Sequence, residues 1–439
     1  MNLFNHLYEK RISEESDSNP FQKSVKFIEN NIKKLIPKRK QSEDCLYCSI
    51  ITPTLERKNL PVVIWFQGGH FHDPPEQPIN HNIPYNDCLF VTFNFRQGIF
   101  GFFQHEELEC ESENSLSGNY GIMDQRALLR FIKENIYSYG GNPKNITLWG
   151  QGSGANSIMY HVFNPNNKGL FHRAIVHSYS NIYDIQNDKT GLGTKICDSL
   201  VGQGLNQVLR MRQIPGFKIK LAYQKYLYRD NRLNFKNCFM PYVDGVTVYN
   251  RHITPPLKVP IIMGIHNYDF YYLYKIGFYR LFNNPLKKEE IKEEDKKILK
   301  EEYNIISDFI GHPVKNRYLD DLLFKYPLFD FMNNYGLKVY PYVLNYTMSA
   351  CKSYYESEME YLHHTRNYSK IAYYKIVQIF KIFLLSFIKF GNPNKINKSN
   401  ILIESHGRIM NYSNNNIYYK LLDISPNIIK IFDSYFKYE

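Results

Sequence analysis

At 439 residues with 43% hydrophobic side chains, the chain can bury a large core, which excludes a disordered or fibrous protein. Fifty-four Lys and Arg against 42 Asp and Glu give a formal charge of +12, which favours anionic partners in general. No long basic block concentrates that charge: the densest cluster, KKLIPKRK at 33–40, contains Pro37 and reads as a solvated linker, so nucleic acid is not an expected partner.

Residues 1–41 show no sustained period and read as an irregular lead-in to one domain over 42–439. The first thirty mix charged and polar residues without the apolar stretch of a secretory signal. The sequence as written therefore predicts a cytoplasmic protein, or a secreted one if N-terminal residues are missing. Seven cysteines leave at least one without an internal partner. Cys45 and Cys48 form a CxxC, but in the strand-like run CLYCSIITP residues three apart point to opposite faces. They read as two strand residues, and neither metal nor cofactor is expected.

Further along, short β-rich apolar runs at 61–66 (PVVIWF) and 89–95 (LFVTFNF) predict buried strands. Between 124 and 136, Ala127, Leu128, Phe131, Ile132 and Ile136 fall on one helical face, and Gly140-Gly141-Asn142-Pro143 predicts a turn after them. A strand at 146–149, a glycine turn, a helix from Ala155 and a strand at 173–177 follow. This alternation predicts an α/β fold with a mostly parallel sheet covered by helices on both faces. Later strands are expected at 259–264 and 338–346. Interleaved opposite charges at 286–303 predict an exposed helix. The greasy stretch 371–390 is broken by Lys375, Lys381 and Lys389, so a buried amphipathic helix is expected there and not a transmembrane segment.

The most informative stretch is NITLWGQGSGA at 145–155. A strand that turns sharply through glycines into a helix is the setting of a nucleophile elbow, where G-x-S-x-G lifts a serine above the sheet edge. Here the central residue is Gly152. The same glycines lack the full G-x-G-x-x-G spacing of a dinucleotide loop.

At this point the chain resembles the type-B carboxylesterases, the α/β-hydrolase family that includes the cholinesterases, from 42 to 394. The resemblance rests on nine ordered motifs: SEDCLY at 42–47, PVVIWFQGGHF at 61–71, FNFRQGIFGF at 93–102, SGNYGIMDQRALLRFIKENI at 117–136, YGGNPKNITLWG at 139–150, KGLFHRAIVHSYS at 168–180, PYVDG at 241–245, VPIIMG at 259–264 and FGNPN at 390–394. It implies an α/β-hydrolase fold. It also implies ester hydrolysis, provided that a serine, a histidine, an orienting acid and backbone N–H donors for the oxyanion are present.

By that resemblance the nucleophile position falls on Gly152, the acid on Asp269 and the base on Tyr355 within YESEMEYL at 355–362. A hydrogen cannot attack a carbonyl, and a tyrosine with an ordinary pKa near 10 is a poor base at neutral pH. His363 and His364 follow downstream. The oxyanion-loop positions are Gly68, Gly69, His70 in place of a third glycine, and Ser153. Glu43 and Arg96 match a family salt bridge, Asn119, Asp124 and Asp244 match positions that fasten loops, and Cys45 matches one half of a family disulfide whose partner has no counterpart upstream. The expectation is a catalytically inactive esterase-fold protein that acts by binding a protein or a small molecule, comparable with cholinesterase-like adhesion molecules. The alternative is a residual hydrolase using Ser153 and a histidine outside these motifs.

Overall fold

The structure is a computed structural model that describes residues 42–54, 56, 58–72, 87–181, 189–227, 238–266, 269, 292–303, 319–344, 371–396, 409–413, 416–420 and 425–430. The chain forms two compact units, Met1–Cys45 and Leu46–Glu439. Of the first, the described residues are 42–45, with Ser42, Glu43 and Asp44 exposed.

In the second unit the described strands form one sheet. In chain order its elements are β1 (Cys48–Ile51), β2 (Leu60–Phe66), β3 (Leu89–Phe93), α1 (Gly98–Phe102), α2 (Glu106–Glu111), α3 (Tyr120–Asn135), β4 (Gly141–Gln151), α4 (Ser153–Val162), β5 (Arg173–His177), α5 (Thr190–Val201), α6 (Gln207–Met211), α7 (Gly216–Leu227), β6 (Ile261–His266), α8 (Glu293–Tyr303), α9 (Tyr326–Asn334), β7 (Val339–Leu344), α10 (Ile371–Phe390), β8 (Ile409–Ser413) and β9 (Asn416–Lys420). The spatial order is β1-β3-β2-β4-β5-β6-β7-β8-β9. The pairs from β3 to β8 are parallel, and β1 and β9 close the two edges antiparallel.

Side chains alternate across this sheet as strand geometry requires. One face sends Val62, Ile64, Phe66, Val91, Leu148 and Val176 into a core shared with Ile158 and Met159 of α4. The other sends His177 and Tyr342 against Phe380, and Tyr340 against Phe387, of α10. Buried residues on both faces explain why the sequence shows continuous apolar runs.

Most elements follow the sequence pattern, with instructive differences. β4 begins at Gly141, so the expected turn contributes only Gly140, in the left-handed region, while Gly141 pairs with Leu60 across a register shift. The helix expected from Ala155 starts at Ser153. Of the CxxC pair only Cys48 lies in a strand, and Cys45 precedes it. The charged segment is helical over Glu293–Tyr303. α10 is a packed helix whose Phe383, Leu384, Phe387 and Ile388 are fully buried, and no helix among the described residues is long and apolar enough to cross a membrane.

Loops are tied down by the carboxylates of Asp124 and Asp244. Asp124 receives the Arg96 backbone N–H at 3.0 Å and its guanidinium at 2.8 and 2.7 Å, a bidentate pair. Asn119 donates to Tyr242 O at 2.8 Å and Asp244 Oδ2 at 2.9 Å, while Asp244 Oδ1 collects the N–H groups of Val246, Thr247 and Val248. Asn119, Asp124 and Asp244 thus fasten loops, as expected. Glu43 belongs to the separate N-terminal unit, and its bridge to Arg96 stays an expectation.

Candidate functional site

In parallel sheets the strand carboxyl ends are where side chains from several turns can converge. β2, β4, β5 and β6 all end at that edge here. Four of the sequence-expected positions, Gly68, Gly69, His70 and Ser153, together with Gly152 and Asp269, lie on the segments that follow these strands.

The turn from β4 into α4 is built by glycines. Gly152 has φ 55° and ψ −121°, a conformation that L residues rarely adopt. Its N–H donates to His177 O at 3.0 Å, and its carbonyl accepts the Asn156 N–H at 2.9 Å, so the turn is locked from both sides. Gly154 admits no side chain, because a Cβ there would sit 2.1 Å from Phe66 O. At Gly150 a Cβ would come within 2.8 Å of the Gly154 carbonyl carbon. These close approaches let α4 start directly where β4 ends, and the first N–H groups of α4 have no intrahelical acceptor. Ser153, the first residue of α4, is 2% exposed.

The loop after β2 runs beside this turn: a Cβ on Gly68 would lie 3.2 Å from Gln151 O. Gly69, His70 and Phe71 have φ of 109°, 56° and 62°, so three successive residues occupy the left-handed region. The loop is held by His72 N–H to Gly69 O at 3.0 Å and by Gly98 N–H to Phe71 O at 2.6 Å. Phe71 is buried against Phe102 and Tyr160. Burial first, then the neighbouring His72 charge, pull His70 down to about 3, so its ring is neutral at neutral pH. Among the described residues the N–H groups of Gly69 and Ser153 meet no backbone acceptor, which leaves two donors at the place where oxyanion donors are expected.

Asp269 is fully buried, and its Oδ2 accepts the His266 N–H at 2.9 Å just beyond β6. Tyr355, His363 and His364 lie outside the described residues.

A residue that sequence reasoning passed over is His177, the last residue of β5, fully buried and paired in register with Gln151. Trp149 Nε1–H donates to His177 Nε2 at 2.6 Å, and His177 Nδ1 meets the Tyr342 hydroxyl. Indole N–H can only donate, so Nε2 is the bare nitrogen and Nδ1 carries the proton. With both nitrogens engaged, His177 ties β5 to its neighbour β4 and, across β6, to β7, and is not a ready proton acceptor. Its only trace in the sequence is a histidine closing the strand RAIVH.

Under α4 lies a second polar group. Asn167 Nδ2 donates to His161 Nδ1 at 3.0 Å, so Nε2–H faces Gln125 Oε1 at 3.1 Å, and Gln125 Nε2 donates to Ser157 at 3.0 Å. Burial, then the Arg126 charge, pull His161 down to about 3.

Comparison with known proteins places this geometry. The family model described as "Carboxylesterase family" matches residues 13–427. An acetylcholinesterase of Danio rerio is 37% identical over 147 residues, 32% of this chain and 22% of its own length. A para-nitrobenzyl esterase of Bacillus subtilis is 39% identical over 144 residues, covering 32% and 28%. The chain therefore spans about a quarter of these curated relatives' length in the matched segments. The crystal structure of Aspergillus niger EstA superposes with TM-score 0.70 at 19% identity, covering 90% of this chain and 84% of that one, which establishes a common fold.

Proposed function

Because the chain belongs to the carboxylesterase family, we propose that it is a catalytically inactive member of it, acting by binding a protein or small-molecule ligand at the site edge. One observation carries this reading: the residue at the centre of the elbow is Gly152, in a turn whose backbone keeps the sharp strand-to-helix form. No attacking oxygen projects from that position. The Tyr355 assignment from the family pattern deepens the reading, because a phenol in the base position would not take a proton at neutral pH.

Without its nucleophile, such a site retains at most the contribution of oxyanion donors and binding, about 10³–10⁴ over the uncatalysed rate. Ester turnover by the wild type, by Gly152→Ser and by Gly152→Ser with Tyr355→His tests the proposal. Activity should be absent from the first two and recoverable only in the third. A second reading, residual hydrolysis through Ser153, has that residue's position beside Gly152 in its favour. Labelling of purified protein by a fluorophosphonate at Ser153 would establish it and overturn the proposal.

A further inference from the structure

Next to the loop after β2, α7 presents large apolar side chains to solvent. Its inner side is anchored: Tyr223 is buried, stacks on His72 with ring centroids 5.6 Å apart, and meets His72 Nε2 through its hydroxyl at 3.2 Å. The outer side carries Phe217 and Leu221, 60% and 52% exposed and four residues apart, which places them one above the other on the helix. Phe100 adds to this ridge, since its ring lies 3.4 Å from where a Cβ of Gly216 would be. Upstream in sequence, Leu205 before α6 and Leu209 in the middle of it are 87% and 57% exposed.

Charge accompanies this apolar ridge. The segment from Ser199 to Leu227 contains Arg210, Arg212, Lys218, Lys220 and Lys225 and no acidic residue. Lys218 and Lys225 are exposed on α7 beside Phe217 and Leu221. The acidic helix α2 adjoins α6, but three of its carboxylates are engaged: Glu107 accepts the N–H groups of Gln207 and Val208, Glu109 accepts from Ser117, and Glu111 pairs with Arg212 at 2.6 Å. Glu106, Glu111 and Glu113 are exposed there, Glu111 in its pair with Arg212.

We propose that α7, with Phe100, is a docking surface for an anionic lipid bilayer. A helix with large apolar side chains fringed by lysines on its outward side matches interfacial insertion, in which the rings enter the acyl boundary and the lysine stems carry their charges back to the headgroups. Complementarity of charge selects an acidic bilayer over a neutral one. Because Tyr223 joins α7 to His72, docking would bring the loop after β2 close to the membrane. This inference rests on the surface alone and stands whether or not the site turns over esters.

The test is sedimentation of the full chain with vesicles of phosphatidylcholine alone and of phosphatidylcholine with phosphatidylserine in equal parts. The wild type should sediment with the mixed vesicles only, less so as salt rises. Phe217→Ser with Leu221→Ser should weaken binding by about tenfold or more. Lys218→Glu with Lys225→Glu should remove the preference for phosphatidylserine, by about fivefold for each lysine lost. Both native tryptophans are nearly buried, so Phe217→Trp supplies a separate reporter, whose emission should shift to the blue with mixed vesicles. Absence of sedimentation and of that shift overturns the proposal, as does binding that survives Phe217→Ser with Leu221→Ser. A wild-type dimer in solution that the same pair dissociates would instead assign the face to a second copy.

Discussion

The turn after β4 and the loop after β2 lie side by side, yet they depart from the esterase resemblance in opposite directions. In the turn, Gly150 and Gly154 make the close approaches that the backbone path demands, while the central residue, Gly152, bears no side chain. In the loop, the left-handed backbone persists over Gly69, His70 and Phe71, while two of those three residues carry rings. Backbone geometry is what the two regions share. In both, close packing against Phe66 and Gln151 sets the path of the chain, while the side chain at the centre is free to differ.

The strongest way to break that comparison is to attack the shared backbone. Gly154→Ala puts a Cβ 2.1 Å from Phe66 O, a contact with main chain that no rotamer change relieves, and should destabilise by about 3 kcal/mol or more. Chemical denaturation, or loss of soluble protein, would register it; a wild-type midpoint would show that the turn is looser than its contacts indicate. Acid comes next. His161 sits at about 3 against an ordinary 6.5, so above pH 6.5 neither folded nor unfolded chain is charged there. As pH falls below 6.5 the unfolded chain binds a proton that the folded chain refuses, and stability drops by about 1.4 kcal/mol per pH unit until about pH 3. His161→Gln should lower stability at pH 7 but flatten this slope, which denaturation midpoints at several pH values would show. His70, also lowered to about 3 by burial and then by the His72 charge, adds to the slope with the same sign over the same pH range.

A smaller effect separates the two central positions. Gly152→Ser asks a side chain to accept φ 55°, a strain of about 1–3 kcal/mol, without restoring turnover on its own. A thermal shift with an ester assay reads both outcomes together, and turnover in the single variant would mean that a usable base already stands at the site.

Much of this was legible from sequence. Runs such as PVVIWF and RAIVH declared buried parallel strands because both faces of the sheet are covered, and ordered motifs located Gly152, Gly68 and Gly69. What escaped had long-range or local-context causes. β4 starts early because Gly141 pairs with Leu60 across a bulge, a tertiary preference that overrides the turn signal of Gly140–Pro143. The β8–β9 hairpin was missed because its Asn and Tyr merge with a chain-wide bias toward those residues. His177 was invisible as a strand tie because its partners Trp149 and Tyr342 are 28 and 165 residues away.

The mildest probe is His70→Gly, which bears on the loop alone. At φ 56° a histidine holds a conformation that glycine adopts freely, so the substitution relieves strain in the folded state while it widens the unfolded ensemble. The two effects oppose each other, and the net change in stability should stay within about 1 kcal/mol, readable as a midpoint shift in urea. Removing the ring also removes a neutral imidazole from the loop after β2. If the added ring is what occupies the space of an acyl group, Gly152→Ser with Tyr355→His should turn over bulky esters faster when His70→Gly is added, and small acetates no faster. Equal gains on both would mean that His70 acts through the loop's backbone, and the contrast between a turn whose centre bears no side chain and a loop whose centre bears a ring would then reduce to Gly152 alone.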